Sequence, residues 1–154
     1  MSDSKVFMAE QGLRCDAVLL EVRSAPAPQH RLAHVLEIFS TSHGLSAGMK
    51  STDISFIHAP STWGNTPIKV GETALVFLRS ISGKLYECAW DGHFLLEHHD
   101  GQRFIVYKFP QLWLHDEIPA SLREYIRQDP QRPQASLVQL DALIRYLHSL
   151  RDFG

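Results

Sequence analysis

This sequence of 154 residues has no long charged run, no long apolar run and no low-complexity segment. No block of like charges occurs, and the formal net charge is only −2 at pH 7. Proteins that bind nucleic acids usually carry a basic face that neutralises phosphates. No segment approaches the roughly eighteen uninterrupted apolar residues that indicate a membrane-spanning helix. These absences argue against a nucleic-acid partner and against a membrane protein.

The motifs of common enzyme classes are also missing. The sequence has no GxSxG, no glycine-rich phosphate loop and no HExxH. The carboxylates Glu72, Glu87, Asp91 and Glu97 fall at predicted strand ends and turns, where solvation is enough to explain them. We therefore predict that the protein is not an enzyme, with no catalytic residue, no metal ligand and no cofactor. An enzyme of an unrecognised type stays an alternative, because one fold hosts many chemistries.

Cysteine is scarce, with only Cys15 and Cys88 in the chain. Their spacing does not indicate pairing, so we predict two reduced, mostly buried thiols, with one disulfide as the alternative. Residues 1–10 lack the apolar run of a secretory signal. We therefore expect a cytoplasmic protein.

The composition that remains is typical of a globular domain, with 44% apolar and 21% charged residues. At this length we predict a single domain, residues 1–154. The pattern is organised around residues 70–79, where apolar side chains occupy consecutive positions at 74–78. A strand of that kind is covered on both faces and lies centrally in its sheet.

Shorter strands flank this central one on both sides. Alternation predicts strands near 15–23, 30–40, 52–58, 84–90, 94–98 and 103–109. In the strand at 52–58, Ile54, Phe56 and His58 share one side. Turns are predicted at Ser82-Gly83 and Asp100-Gly101, and the second should place His99 opposite Gln102 and Glu97 opposite Phe104.

From residue 110 onwards the apolar period changes from two to helical. Residues 121–124 and 136–139 fit capping boxes, each of which predicts the start of a helix, and residues 4–12 fit a short helix. The predicted fold is mainly β with C-terminal helices. It is a small antiparallel barrel or curled sheet at 13–109, capped by two or three helices, with a helical appendage at 110–154.

Over about residues 13–95 the motif order resembles the tissue-inhibitor-of-metalloproteinases/netrin-module superfamily, whose members are five-stranded barrels of the oligonucleotide/oligosaccharide-binding (OB) type. The matching pieces are residues 15–22, 35–40, 48–56, 70–78 and 83–86. The resemblance implies that the barrel at 13–109 is OB-like and binds other proteins. Inhibitors of this superfamily present an amino-terminal cysteine to the protease zinc, whereas Cys15 is internal. Metalloproteinase inhibition is therefore not carried over, and no family site residue maps onto this chain.

Tryptophan supplies the candidate binding residues, because it is enriched at interface hot spots. Trp63 lies in a proline-bounded segment with His58 and Asn65 nearby in sequence, and Trp90 lies at a strand end. We predict that His58, Trp63, Asn65 and Trp90 contact a partner, the alternative being that the tryptophans cap the barrel.

Histidine is frequent, and His93, His98 and His99 are its densest group. Adjacent strand residues point to opposite faces, so His98 and His99 do not converge on one ion. We interpret this group as solvated residues near a hairpin tip, with metal binding as the alternative.

The sequence as a whole favours a non-enzymatic module that binds another protein, for example an inhibitor or an immunity-type protein. The alternative is a single-stranded nucleic-acid-binding OB protein using residues such as Tyr86 with Lys84. The partner's identity and the oligomeric state are left open.

Overall fold

A computed structural model describes residues 14–58, 67–88, 92–107, 120–132 and 135–153. Contacts divide the chain into two compact units, Arg14–Leu95 and Leu96–Gly154 together with Met1–Leu13. The single-domain organisation stays a prediction. The helix predicted at 4–12 lies outside the described residues.

Five strands of the first unit close into a barrel. They are β1 (Asp16–Ala27), β2 (His30–Ile38), β3 (Asp53–Ile57), β4 (Thr73–Ile81) and β5 (Lys84–Glu87). Their order is β1-β2-β3-β5-β4, and β4 pairs back with β1. The mainly β fold and the small barrel are thus confirmed.

Pairing in the barrel is antiparallel except between β3 and β5, which run parallel and pair at Ile57 and Tyr86. The prediction of a purely antiparallel barrel is wrong at this one pair. The reason is geometric, because strand direction cannot alternate all the way around a closed ring with an odd number of strands.

Strand β4 is the centre of this unit. Residues 74–78 are all 0% exposed, which confirms that this stretch is covered on both faces. Ala74, Val76 and Leu78 lie in the interior cluster with residues of the other strands. On the opposite face, Phe77 contacts the edge of Phe94, with ring centroids 6.2 Å apart.

Both predicted turns have the backbone that a two-residue hairpin requires. Ser82 and Gly83 have φ of 53° and 82°, and Asp100 and Gly101 have φ of 55° and 76°. The second turn joins β6 (His93–His99) to β7 (Gln102–Tyr107). His99 lies opposite Gln102 and Glu97 opposite Phe104, which confirms the predicted register.

The second unit contains β7, a four-residue helix α1 (Ala120–Arg123), β8 (Ile126–Gln128), β9 (Ser136–Gln139) and α2 (Leu140–Phe153). Antiparallel β7 pairs with the end of β6 and with β9, and β9 pairs with β8. Among the described residues, neither helix combines the length and apolar character of a membrane span.

The predicted starts of the two C-terminal helices are corrected here, while the capping of the barrel by two or three helices stays a prediction. The first capping box yields only the single turn α1, and the second box lies in β9, so the C-terminal helix begins at Leu140 instead. Strand β9 is paired on both edges, and Leu137 and Val138 are fully buried. Pairing and burial outweigh the local helix-start signal.

Candidate functional site

Three titratable side chains meet inside the first unit. His58 directly follows β3, Glu87 ends β5 and His93 begins β6. The parallel pair of Ile57 with Tyr86 sets His58 beside Glu87. We call these three residues the His58–Glu87–His93 cluster, and their side chains are each 1% exposed.

The edge of β4 explains why Glu87 and His93 come together. Glu87 pairs with Leu78 and His93 pairs with Val76, so β5 and β6 follow one another along this edge. Between them, Cys88 donates its amide hydrogen to the Phe77 carbonyl at 2.9 Å, and the Phe77 amide donates to the Gly92 carbonyl at 2.8 Å. The chain therefore leaves β4 at Cys88 and returns to it at Gly92.

The two imidazoles share one carboxylate. Nδ1 of His93 lies 2.6 Å from Oε2 of Glu87, and Nδ1 of His58 is hydrogen-bonded to Oε1. The two rings contact each other edge to face, with centroids 4.8 Å apart. Each carboxylate oxygen thus accepts a hydrogen bond from a different histidine.

The backbone of Ile68 determines the tautomer of His58. Its amide donates to Nε2 of His58 at 3.0 Å, so Nε2 is an acceptor and the ring proton sits on Nδ1. The Ile68 carbonyl accepts from Nε of Arg31 at 2.8 Å. Arg31 is itself buried and also donates to carbonyls at Ala27, Pro28 and His30.

Burial and hydrogen bonding act in opposite directions on Glu87. Burial raises the pKa of its carboxyl group, but the hydrogen bonds from His58 and His93 outweigh burial and lower the pKa below its usual value. Glu87 is therefore an ionised carboxylate at neutral pH.

A disulfide joins Cys15 to Cys88, with Cα atoms 6.8 Å apart. The prediction of two reduced thiols is therefore wrong. The pairing of β1 with β4, and of β4 with β5, brings these distant positions together. Disulfides persist mainly in oxidising compartments, so this bond argues against the predicted cytoplasmic location. The location itself stays a prediction.

The structure separates the histidines that are close in sequence. His93 is buried with Glu87, whereas His98 is exposed and His99 bonds to Glu97 at 3.0 Å. The expectation that Glu87 is a solvated carboxylate is wrong. No local pattern marks Glu87. For His58, the available signal is the side of the strand that it shares with Phe56, which is 2% exposed, although the predicted role of His58 is partner contact.

The predicted partner-contact residues fall into two groups. His58 is buried in the cluster, and Trp63, Asn65 and Trp90 lie outside the described residues. A cleft of about 410 Å³ opens between β3 and β5, lined by residues such as Phe56, Lys84 and Leu85. None of its lining residues belongs to the cluster, so this cleft does not give a substrate access to it.

The first unit defines a closed five-stranded β-barrel protein with a buried His–Glu–His cluster. No family model, no curated protein and no solved structure matches the chain. The netrin-module resemblance therefore stays a prediction.

Proposed function

We propose that the protein is a non-enzymatic protein-binding module that contacts its partner through residues 59–66 and 89–91. These segments contain Trp63, Asn65 and Trp90. One observation carries the proposal: each end of both segments lies within two residues of the His58–Glu87–His93 cluster or of Ile68, which bonds to His58. The first segment lies between His58 and Ile68, and the second lies between Cys88, which follows Glu87, and Gly92, which precedes His93.

The flanking contacts are close ones. A Cβ atom added at Gly92 would lie 2.5 Å from the Cys88 carbonyl oxygen, so only glycine allows the chain to return at this point. The disulfide to Cys15 also constrains the position of Cys88. Binding segments with fixed ends lose less conformational entropy on association, and tryptophan is enriched among hot-spot residues.

Within this proposal, His58 acts by holding the 59–66 segment, since its own side chain is buried. An inhibitor or immunity-type protein, which occupies the surface of an effector, is one concrete form of such a module.

We also propose that the barrel is of the OB type and distantly related to netrin modules. The order β1-β2-β3-β5-β4 with β4 returning to β1 supports this proposal, because the OB fold is a five-stranded Greek-key barrel. The resemblance to that superfamily implies binding of other proteins, so the proposed relationship agrees with a protein-binding function.

Affinity capture from an extract of the producing cells tests the function. We expect the wild-type chain to retain a defined protein, and Trp63→Ala or Trp90→Ala to reduce the retained amount by about tenfold or more. Ile81→Ala is the matched control, because Ile81 is an exposed apolar residue at 45% exposure on β4 and should be neutral.

Two results would overturn the proposal. One is equal capture by the two tryptophan variants and the wild type. The other is tight, salt-sensitive retention of single-stranded oligonucleotides in a filter-binding assay, which would favour the nucleic-acid alternative.

A further inference from the structure

We propose that the His58–Glu87–His93 cluster binds a divalent transition-metal ion, with Zn²⁺ as the ion that its donors fit best. Two imidazole nitrogens and one carboxylate oxygen form a known ligand set for zinc. The three ligand atoms lie within 4.8 Å of one another. Imidazole donors favour zinc, copper, nickel or cobalt over magnesium and calcium.

The positions of these ligands are set by the barrel. Strand pairing places His58 beside Glu87, and the edge of β4 places Glu87 beside His93. The other described histidine–carboxylate contacts are single pairs, such as His34 with Asp53, whose His34 side chain is 28% exposed. The cluster differs from such pairs because three metal-ligand atoms converge and all three side chains are buried.

Burial of the carboxylate also favours a cation at this place. The Glu87 side chain is 1% exposed, and its oxygens are hydrogen-bonded to His58 and His93. A buried carboxylate is stabilised by a paired charge or a metal ion, and a divalent cation supplies that charge directly.

A small rearrangement separates the described form from the metal-bound form. Nδ1 of His93 and Oε2 of Glu87 are 2.6 Å apart and hydrogen-bonded. Two ligands of a tetrahedral zinc ion lie about 3.3 Å apart, so the carboxylate must withdraw by about 0.7 Å. Each Nδ1 proton moves to the Nε2 atom of the same ring, and the lone pair left on Nδ1 binds the metal. Three protein ligands leave one coordination position for water.

The proton shift has a consequence for the neighbouring backbone. A protonated Nε2 on His58 faces the amide hydrogen of Ile68, and two donors cannot bond each other. Metal binding should therefore break the 3.0 Å hydrogen bond between Ile68 and His58. The site thereby couples metal binding to one end of the 59–66 segment.

Metal titration of the full chain tests the proposal. We expect one Zn²⁺ per chain in competition with a chromophoric chelator, and visible bands of tetrahedral cobalt when Co²⁺ is used. His93→Gln should weaken zinc binding by about a hundredfold or more, because it removes one ligand from the site. His34→Gln is the matched control and should bind zinc like the wild type.

The wild-type chain provides readouts that need no variant. Zinc should accelerate hydrogen exchange of the Ile68 amide, while Ca²⁺ and Mg²⁺ should leave it unchanged. Absence of zinc binding by the wild type, or equal binding by His93→Gln and His34→Gln, would overturn the site. Zinc binding with unchanged Ile68 exchange would overturn coordination through Nδ1 of His58.

Discussion

Nε2 of His58 accepts a hydrogen bond from the amide of Ile68 at a distance of 3.0 Å. These residues lie on either side of residues 59–67, so one contact links the two ends of that segment. Because Nδ1 of His58 also bonds to Glu87, the link continues into β5. The stability of the barrel should therefore depend on Glu87.

Glu87→Gln should lower the free energy of unfolding by roughly 3 kcal/mol, because a buried acceptor for two imidazole donors is replaced by a group with one acceptor oxygen. The amide NH₂ of glutamine then faces one of the two Nδ1–H groups. Urea denaturation in metal-free buffer measures the change.

Glu72→Gln is the control for this substitution. Oε1 of Glu72 accepts the Lys69 amide hydrogen at 2.7 Å in an exposed position, and glutamine keeps that acceptor. We expect a change within about 0.5 kcal/mol. Equal effects of the two substitutions would contradict a structural role for the cluster.

The disulfide provides a second prediction. Mass spectrometry after alkylation of the unfolded, unreduced chain should find no label on Cys15 or Cys88, and two labels after reduction. Replacing both residues by serine should lower the free energy of unfolding by about 2–4 kcal/mol, because the bond constrains the unfolded chain. Two labels without reductant, on protein purified under oxidising conditions, would contradict the described pairing.

Gly44 supports a third prediction, at the contact between the 42–45 loop and β4. It has a φ of +116°, and an added Cβ would lie 2.2 Å from Cβ of Ser80. Gly44→Ala should destabilise the barrel by roughly 3 kcal/mol through overpacking and backbone strain. Thermal and urea unfolding measure the loss.

Gly48→Ala is the matched control for Gly44→Ala. Nothing lies within 4 Å of an added Cβ at Gly48, which belongs to the 3-10 turn Ala47–Met49. Its effect should stay within about 0.5 kcal/mol. A larger loss for Gly48→Ala than for Gly44→Ala would disprove the close approach.

An ion-pair network in the second unit gives a prediction about pH. Arg132 donates to Oε2 of Glu97 at 2.5 Å and also pairs with Asp129. The hydrogen bond from Arg132 lowers the pKa of Glu97 below its usual value, against the effect of burial. For Asp129, burial raises the pKa, but bonds from the Gln131 amide and Arg132 outweigh it.

Arg132→Gln should cost about 1–2 kcal/mol at pH 7, allowing for the partial exposure of Arg132 and Glu97. A depressed pKa in the folded state stabilises the fold above the unfolded pKa, near about 4.3 for Glu, and this contribution is lost as the pH falls through the folded pKa. The difference in the free energy of unfolding between wild type and variant should therefore shrink as the pH falls below about 4.3.

Urea denaturation at several pH values between 7 and 3 measures this difference. Arg23→Gln is the control, since Arg23 pairs with Glu21 at 3.1 Å on the surface, with 54% of its side chain exposed. Its effect should stay below about 0.5 kcal/mol. An Arg132→Gln difference that grows on acidification would contradict the network.

Local features of the fold could be predicted because their signals lie in neighbouring residues. Consecutive apolar residues at 74–78 predicted the doubly covered strand β4. Asp100-Gly101 predicted a hairpin together with its register, since both turn residues adopt positive φ. Such signals need no knowledge of the rest of the chain.

The C-terminal region shows where local signals fail. Residues 136–139 fit a capping box, yet they form β9, because strands β7 and β8 pair with both of its edges. A helix-start signal contributes about 1 kcal/mol, which pairing and burial of a whole strand readily exceed.

The sequence by itself determined the β-rich character, the central strand and the hairpin turns, since these depend on side-chain period and on residues that tolerate positive φ. Only the tertiary structure decided that His58, Glu87 and His93 form one buried cluster and that Cys15 and Cys88 are joined. The disulfide spans 73 positions, and the cluster depends on β3 and β5 being neighbours. Strand order is set by the packing of the whole barrel, so no local pattern contains it.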